Sequence, residues 1–151
     1  MGERKIIIPC PHCDTQNRLP AERRGQGKCG TCHHPLFAGK PLALTMSRFA
    51  RHSGAADLPL LVDFWAQWCG PCRAMTPAFE AAAKEFEPHL RLAKVDTDAE
   101  RELAVRYRIQ SIPTLILFRD GRETARQSGA MQNSALRQWI ARHIGDAASA
   151  A

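Results

Sequence analysis

Nowhere in its 151 residues does the chain hold the run of about 18 apolar residues that a membrane-spanning helix needs. The opening stretch offers Arg4, Lys5 and then only three isoleucines. A secretory signal needs an apolar segment of roughly 7–15 residues and a small-residue cleavage site. A cytoplasmic location is therefore expected, where thiols stay reduced. Charge is not strongly of one sign either. Lys+Arg is 21 against Asp+Glu 15, a net +6, too mild for a dedicated nucleic-acid packer. The body of the chain has no internal repeat. With 44% hydrophobic and 24% charged residues the composition is that of an ordinary globular protein, long enough to bury a core of its own.

What the chain has in quantity is cysteine pairs. Six cysteines stand at 10, 13, 29, 32, 69 and 72, which is Cys-x-x-Cys three times. The first two pairs are 15 residues apart and the third lies far downstream. This divides the chain into a cysteine-rich head (1–40), a body (41–146) and a flexible Ala/Ser tail (147–151). The head is poor in large apolar side chains and rich in Gly, Pro, Arg and His, so a metal or a crosslink must help it fold.

The body alternates between strand and helix patterns. Leu42-Ala-Leu-Thr suits a short strand and Ser47–His52 one or two helical turns. Pro59–Trp65 is a mostly apolar run, as in a strand buried on both faces. Met75, Phe79, Ala82, Ala83 and Phe86 recur at helical spacing after Pro71, with Pro77 expected to kink the helix. Leu90–Asp96 is a further strand. Thr97 and Glu100 have the spacing of a capping box for a helix carrying Leu103, Ala104 and Tyr107. Pro113–Phe118 is another strand, Asp120-Gly121 a hairpin turn, and Glu123–Ser128 the return strand. A last helix carries Leu136, Trp139 and Ile140 and is expected to stop at Gly145. The order β-α-β-α-β-α-β-β-α defines an α/β fold ending in an antiparallel hairpin and a helix.

The third pair falls where a buried strand meets a helix, in Trp68-Cys-Gly-Pro-Cys72. At the helix start, free N–H groups and the dipole favour an anion, so Cys69 is placed to react as a thiolate. Cys72, one turn on, can resolve the resulting mixed disulfide. Gly70 permits a tight turn and Pro71 fits the first helical turn, having no N–H to lose. Asp63 lies inside the apolar run. Burial raises a carboxyl's pKa, which suits it to take the Cys72 proton. Lys94 is a candidate partner for Asp63, with a plain surface lysine as the alternative. A zinc half-site is the competing reading of this pair, but no fourth pair exists to complete it.

Cys10, Cys13, Cys29 and Cys32 match the spacing of a four-thiolate zinc site. One structural zinc per chain is expected, with no bound organic cofactor. His12, His33 and His34 stand beside the cysteines and are read as solvated, and Gly30 as easing a knuckle turn. Disulfides in the head are the alternative under oxidising conditions.

Val62-Asp-Phe-Trp-Ala-Gln-Trp-Cys-Gly-Pro-Cys-Arg73 resembles the active-site segment of the thioredoxin family. The likeness continues through Pro77, Lys94-Val-Asp96, Ser111-Ile-Pro-Thr-Leu115, Asp120-Gly121 and Gly129-Ala130. In the head, Cys10-Pro-His-Cys13, Asn17-Arg-Leu-Pro20, Lys28-Cys-Gly-Thr-Cys32 and Pro35-Leu-Phe37 resemble the zinc-ribbon-bearing bacterial branch of that family, the thioredoxin 2 group. The resemblance implies a thioredoxin fold, a central mixed β-sheet flanked by helices, with a small N-terminal zinc-ribbon domain. It implies a cis peptide at Ile112–Pro113 and a peptide-docking groove formed by Trp68, Ile112, Pro113, Gly129 and Ala130, beside Gly70 and Pro71 of the motif. Gln67 departs from the acidic or prolyl residue of many relatives, which bears on substrate choice.

The activity implied is reduction of protein disulfides, with recycling by NADPH-dependent thioredoxin reductase. Implied substrates are ribonucleotide reductase, peroxiredoxin and methionine sulfoxide reductase. A monomer without membrane partners is expected. The alternatives are a zinc-linked redox sensor, a disulfide-forming oxidant, and a zinc-ribbon module that binds nucleic acid or protein on a thioredoxin scaffold. Residues 1–40 carry seven Lys/Arg and three Asp/Glu, a net +4. A zinc tetrathiolate would lower that by about two. With Phe37 the only aromatic stacking residue there, nucleic acid is a poor fit.

Overall fold

The structure is a computed structural model that describes residues 4–149, with side chains through 144. In the body, β3 (Leu42–Ala43), β4 (Leu60–Trp65), β5 (Arg91–Asp96), β6 (Thr114–Arg119) and β7 (Arg122–Ser128) form one sheet in the order β3-β5-β4-β6-β7. β4 runs parallel to β5, and β5 to β3. β6 is antiparallel to β4 and to β7. The sheet is mixed, and the element order is the one the hydrophobic pattern implies.

Central strands buried on both faces need a helical layer on each side. On one face, α2 (Gly70–Phe86) and α4 (Asn133–Ser149) pack Met75, Phe79, Leu136 and Ile140 onto Leu61, Leu92 and Leu115. On the other, α1 (Met46–Ser53) and α3 (Arg101–Arg106) bring Phe49 and Leu103 onto Val62, Phe64, Ile116 and Phe118. The hairpin turn between β6 and β7 has both central residues at positive φ, Asp120 at 54° and Gly121 at 79°. Asp tolerates that conformation and Gly adopts it freely, so the pair closes a two-residue turn.

Three local expectations are corrected. The Thr97–Glu100 box does not form: α3 has no side-chain cap, and Glu100 instead accepts the Met46 N–H at 2.8 Å, serving the start of α1. A free helix N-terminus elsewhere in the fold competed for that carboxylate and won. Asp96 fills the local role, accepting from the N–H groups of Asp98 and Ala99. Second, α4 does not stop at Gly145 but continues to Ser149. The alanine-rich stretch there favours helix enough to carry it through one glycine. The expected flexible tail at 147–151 is thus helical backbone to 149, and its last two residues lie outside the described ones. Third, Gly30 does not supply the unusual backbone of the knuckles. The positive φ values fall at Asp14 (67°) and His33 (65°), each directly after the second cysteine of its pair.

The head is more ordered than its composition suggests. β1 (Lys5–Pro9) and β2 (Gln16–Pro20) form an antiparallel hairpin that the sequence reading did not anticipate. Alternation along β1 turns Ile6 and Ile8 inward, where they are fully buried with Leu36, Ala55 and Leu58. Two of those five, Ala55 and Leu58, belong to the body, so head and body share this small core.

Candidate functional site

The end of β4 delivers the chain into α2 through Ala66-Gln-Trp-Cys69. Cys69 is the N-cap, in extended conformation, and its Sγ accepts the Cys72 N–H at 3.2 Å. Pro71 occupies the first turn as its missing N–H allows. Cys69 and Cys72 are joined in a disulfide, packed with Ala66 and flanked by Trp65 and Ile112. Cys69 is 4% exposed and Cys72 1%. Nothing lies within 4 Å of the position a Cβ would take on Gly70, between the two cysteines.

The residues expected to line a groove gather here. The Ile112–Pro113 peptide is cis, and the Ile112 carbonyl oxygen lies 3.8 Å from Cys69 Sγ. Gly129 donates its N–H to the Pro113 carbonyl at 2.8 Å, which brings Gly129-Ala130 alongside. Trp68 is 71% exposed, a large apolar surface left uncovered beside the disulfide. Its indole N–H donates to Asp98 Oδ2 at 2.8 Å. Asp98 was not anticipated, because an acid thirty residues away gives no local sign that it will orient a ring.

Asp63 is fully buried, and neither carboxylate oxygen has a hydrogen-bond partner. It lies on the same face of β4 as Leu61, which packs on α2, and as Trp65, which packs beside the cysteines. Burial pushes its carboxyl up to about 7, with Lys94 opposing. Lys94 stands opposite Asp63 in the β4–β5 register, but the two form no ion pair. The ammonium rests over the Trp65 ring, 3.9 Å from its centroid, an attraction available to any cation on an indole face. Its influence on Asp63 is one of field rather than contact.

The four head cysteines form a second cluster. Their sulfurs all lie within 4.8 Å of one another and none is disulfide-bonded. Cys10 and Cys32 are 3.6 Å apart, Cys13 and Cys29 3.5 Å. A tetrahedral site with metal–sulfur bonds near 2.3 Å has sulfur–sulfur edges of about 3.8 Å, so the donor set fits. Backbone N–H groups of His12 and Cys13 donate to Cys10 Sγ, and that of Thr31 to Cys29 Sγ, as thiolates at knuckle turns require. Backbone donors at Cys32 and Thr31 help pull the Cys29 thiol down to about 5. His12 and His34 stack on each other, ring centroids 3.8 Å apart, and are not members of the cluster.

A family model for thioredoxin matches residues 40–142, and one described as the N-terminal part of thioredoxin 2 matches 9–34. The chain belongs to the thioredoxin family. Its head is the zinc-ribbon domain of the thioredoxin 2 group, and the chain is a protein-disulfide reductase. Thioredoxin C-3 of Corynebacterium nephridii is 40% identical over 136 residues, covering 89% of this chain and 93% of that one. Thioredoxin 1 of a Nostoc species is 39% identical over 101 residues, 67% of this chain and 94% of its own. Among solved structures, a point mutant of thioredoxin from Halobacterium salinarum superposes with a TM-score of 0.63 at 31% identity, covering 70% of this chain and 92% of that one. Among the described residues of this thioredoxin, no helix is long and apolar enough to cross a membrane.

A second set of residues, between head and body, escaped the sequence reading. Arg91, 2% exposed, donates from Nη2 to the Pro9 carbonyl at 3.0 Å. Its Nη1 lies 3.6 Å from Glu87 Oε2, and its guanidinium covers the Phe37 ring. Glu87 also accepts the Gly39 N–H at 2.8 Å. Asp14, beside Cys13, takes a double hydrogen bond from Arg48 and one contact at 2.8 Å from buried His52. The Arg48 guanidinium holds the Asp14 carboxyl below its ordinary range, against some burial. The one available sign was a charged residue, Arg91, opening an apolar strand, which the pattern alone does not assign a partner.

Proposed function

We propose that this thioredoxin reduces protein disulfides through Cys69 and Cys72, in a reducing cytoplasm, and is returned to the dithiol by NADPH-dependent thioredoxin reductase. The observation that supports this best is the Cys69–Cys72 disulfide at the start of α2, with a buried, unpartnered carboxylate on the strand face below. The Cys69 thiolate attacks one sulfur of the substrate disulfide, forming a mixed disulfide and expelling the other sulfur as thiolate. Asp63 takes the Cys72 proton. Cys72 then attacks Cys69 Sγ, forming the intramolecular disulfide and releasing the substrate's second thiolate. Trp68, Ile112, Pro113, Gly129 and Ala130 hold the substrate chain against the pair, with Gly70 and Pro71 leaving it clear. Ribonucleotide reductase, peroxiredoxin and methionine sulfoxide reductase are the proposed partners. Insulin reduction coupled to NADPH and thioredoxin reductase tests the reading; no NADPH consumption above background would overturn it.

Asp63→Asn carries a signed pH prediction. The folded carboxyl titrates near 7 and the unfolded one near 4, so the native state binds the extra proton between those values. The Asp63 contribution to wild-type stability therefore falls as pH rises from about 4 to about 7 and levels off above. The variant should lack this slope and be the more stable protein at pH 8, by roughly 4 kcal/mol at most. Its resolution step should be slowed more than its initial attack. Parallel urea-unfolding slopes from pH 4 to 8 in both proteins would remove Asp63 as the buried titrating group.

Cys10, Cys13, Cys29 and Cys32 are proposed to hold one structural zinc, whose binding supplies folding free energy to the head. Elemental analysis should find one zinc per chain in the wild type and in a Cys69→Ser/Cys72→Ser variant, and none in Cys29→Ser/Cys32→Ser. Zinc retained in the last would disprove the ligand set.

A further inference from the structure

The two backbone segments of the proposed groove, 111–113 and 129–130, leave the sheet from opposite partners of a single rung. Thr114 and Ser128 face each other in the β6–β7 register, and beyond them the strands become the groove. Thr114, 2% exposed, places Oγ1 2.6 Å from the Ser111 carbonyl oxygen and 3.1 Å from Ser128 Oγ. A carbonyl only accepts, so Thr114 must spend its one proton on Ser111. Its oxygen then has lone pairs alone to offer Ser128, and Ser128 must be the donor. The hydrogen bonds form a directed chain, Ser128 to Thr114 to Ser111, in which each link polarises the next.

We propose that Ser128 is a positioning residue for substrate docking: its hydroxyl, acting through Thr114, fixes the spacing between the Ile112-Pro113 and Gly129-Ala130 sides of the groove. The inference rests on the groove assignment made above. Its chemistry concerns the main chain of a peptide substrate, because what the clamp sets is the separation of two backbone segments. Gly129 has φ +95°, a conformation that favours glycine, and no atom within 4 Å of the place a Cβ would occupy. An extended peptide can therefore approach that side closely, provided the opposite side is held in register. β7 is otherwise solvent-exposed along most of its length, and the Gly129 N–H bond to Pro113 is a single link. The hydroxyl chain is a second tie at the mouth of the groove, and the one made by side chains.

Ser128→Val and Ser128→Thr separate the hydroxyl from shape, since the two side chains are nearly isosteric and share a preference for strands. Single-turnover reduction of insulin by the pre-reduced protein should show the half-saturating insulin concentration raised roughly fivefold in Ser128→Val, the worth of about one hydrogen bond. The limiting rate should be unchanged. Reduction of cystamine, a small disulfide with no peptide chain to dock, should proceed at the wild-type rate in both variants. Ser128→Thr should restore wild-type half-saturation. Equal behaviour of the Val and Thr variants, or cystamine reduction slowed in step with insulin, would overturn the proposal. A wild-type protein that reduces cystamine but not insulin would overturn the groove assignment, and this inference with it.

Discussion

Cys72→Ser is expected to convert the protein from a turnover catalyst into a trap. Multiple-turnover reduction should fall on the order of 10³-fold or more, as when one member of a concerted catalytic unit is removed. Disulfide-linked adducts to substrate proteins should accumulate through Cys69. The reason is positional. Cys69 is the N-cap of α2 and accepts a hydrogen bond from the backbone N–H of residue 72, at 3.2 Å. That donor belongs to the main chain and survives the substitution, so the helix end still favours a thiolate at Cys69. What is lost is the sulfur that would resolve the adduct. Cys69→Ser should lose turnover as completely but form no adducts, because Cys72, 1% exposed, lies beneath the first turn of α2 where a substrate disulfide does not reach it. Non-reducing electrophoresis after incubation with oxidised substrate distinguishes the two variants. Adducts confined to Cys69→Ser would reverse the assignment.

The parts of this fold that could be read from sequence are those fixed by local pattern. The apolar run Leu60–Trp65, the helical spacing of Met75, Phe79 and Ala82, and the Asp120-Gly121 turn each carry their conformation in neighbouring residues, and all stand where expected. The cysteine spacing was equally legible, since thiolate chemistry and tetrahedral metal binding both demand short fixed intervals. Contacts between distant segments were not. Glu100 looked like the end of a local capping box and instead caps α1. Lys94 reads as a candidate partner for Asp63 or a plain surface lysine, and the ladder does set the two side by side, but Trp65 offers the ammonium a closer surface. The head hairpin was invisible because Lys5–Pro9 and Gln16–Pro20 are short, and only Ile6, Ile8 and Leu19 hint at an inward face. Its stability depends on Ala55 and Leu58, fifty residues away. Alternation and spacing report what a segment wants to bury, and only the fold decides against what.

That dependence has a measurable consequence at Arg91. Treating head and body as two modules leads to the expectation that removing residues 1–40 leaves disulfide reductase activity largely intact while changing substrate range or oxidant sensitivity. The contacts between them argue for strong mutual stabilisation. Arg91 opens β5, at the far end of the strands from the cysteine pair, and its guanidinium bonds the carbonyl next to Cys10, pairs with Glu87 and covers Phe37. Burial lowers Arg91 to about 10, with Glu87 opposing, and burial raises the Glu87 carboxyl. Each charge is tolerated because the other is present. Arg91→Ala would leave Glu87 buried without a counter-charge and Pro9 without its donor, a class of change that costs about 3–5 kcal/mol. Arg91→Leu combined with Glu87→Gln removes both charges and keeps an acceptor for the Gly39 N–H, so it should recover most of that loss. In urea unfolding, tryptophan fluorescence reports the body and release of metal the head. Both transitions should move to lower denaturant together in Arg91→Ala and return together in the double variant. A shift of the metal-release transition alone would show that the head comes away from an intact body. A loss below about 1 kcal/mol would show that Arg91 is a surface ion pair in effect, and that the small shared core of Ile6, Ile8, Leu36, Ala55 and Leu58 holds the two parts together without it.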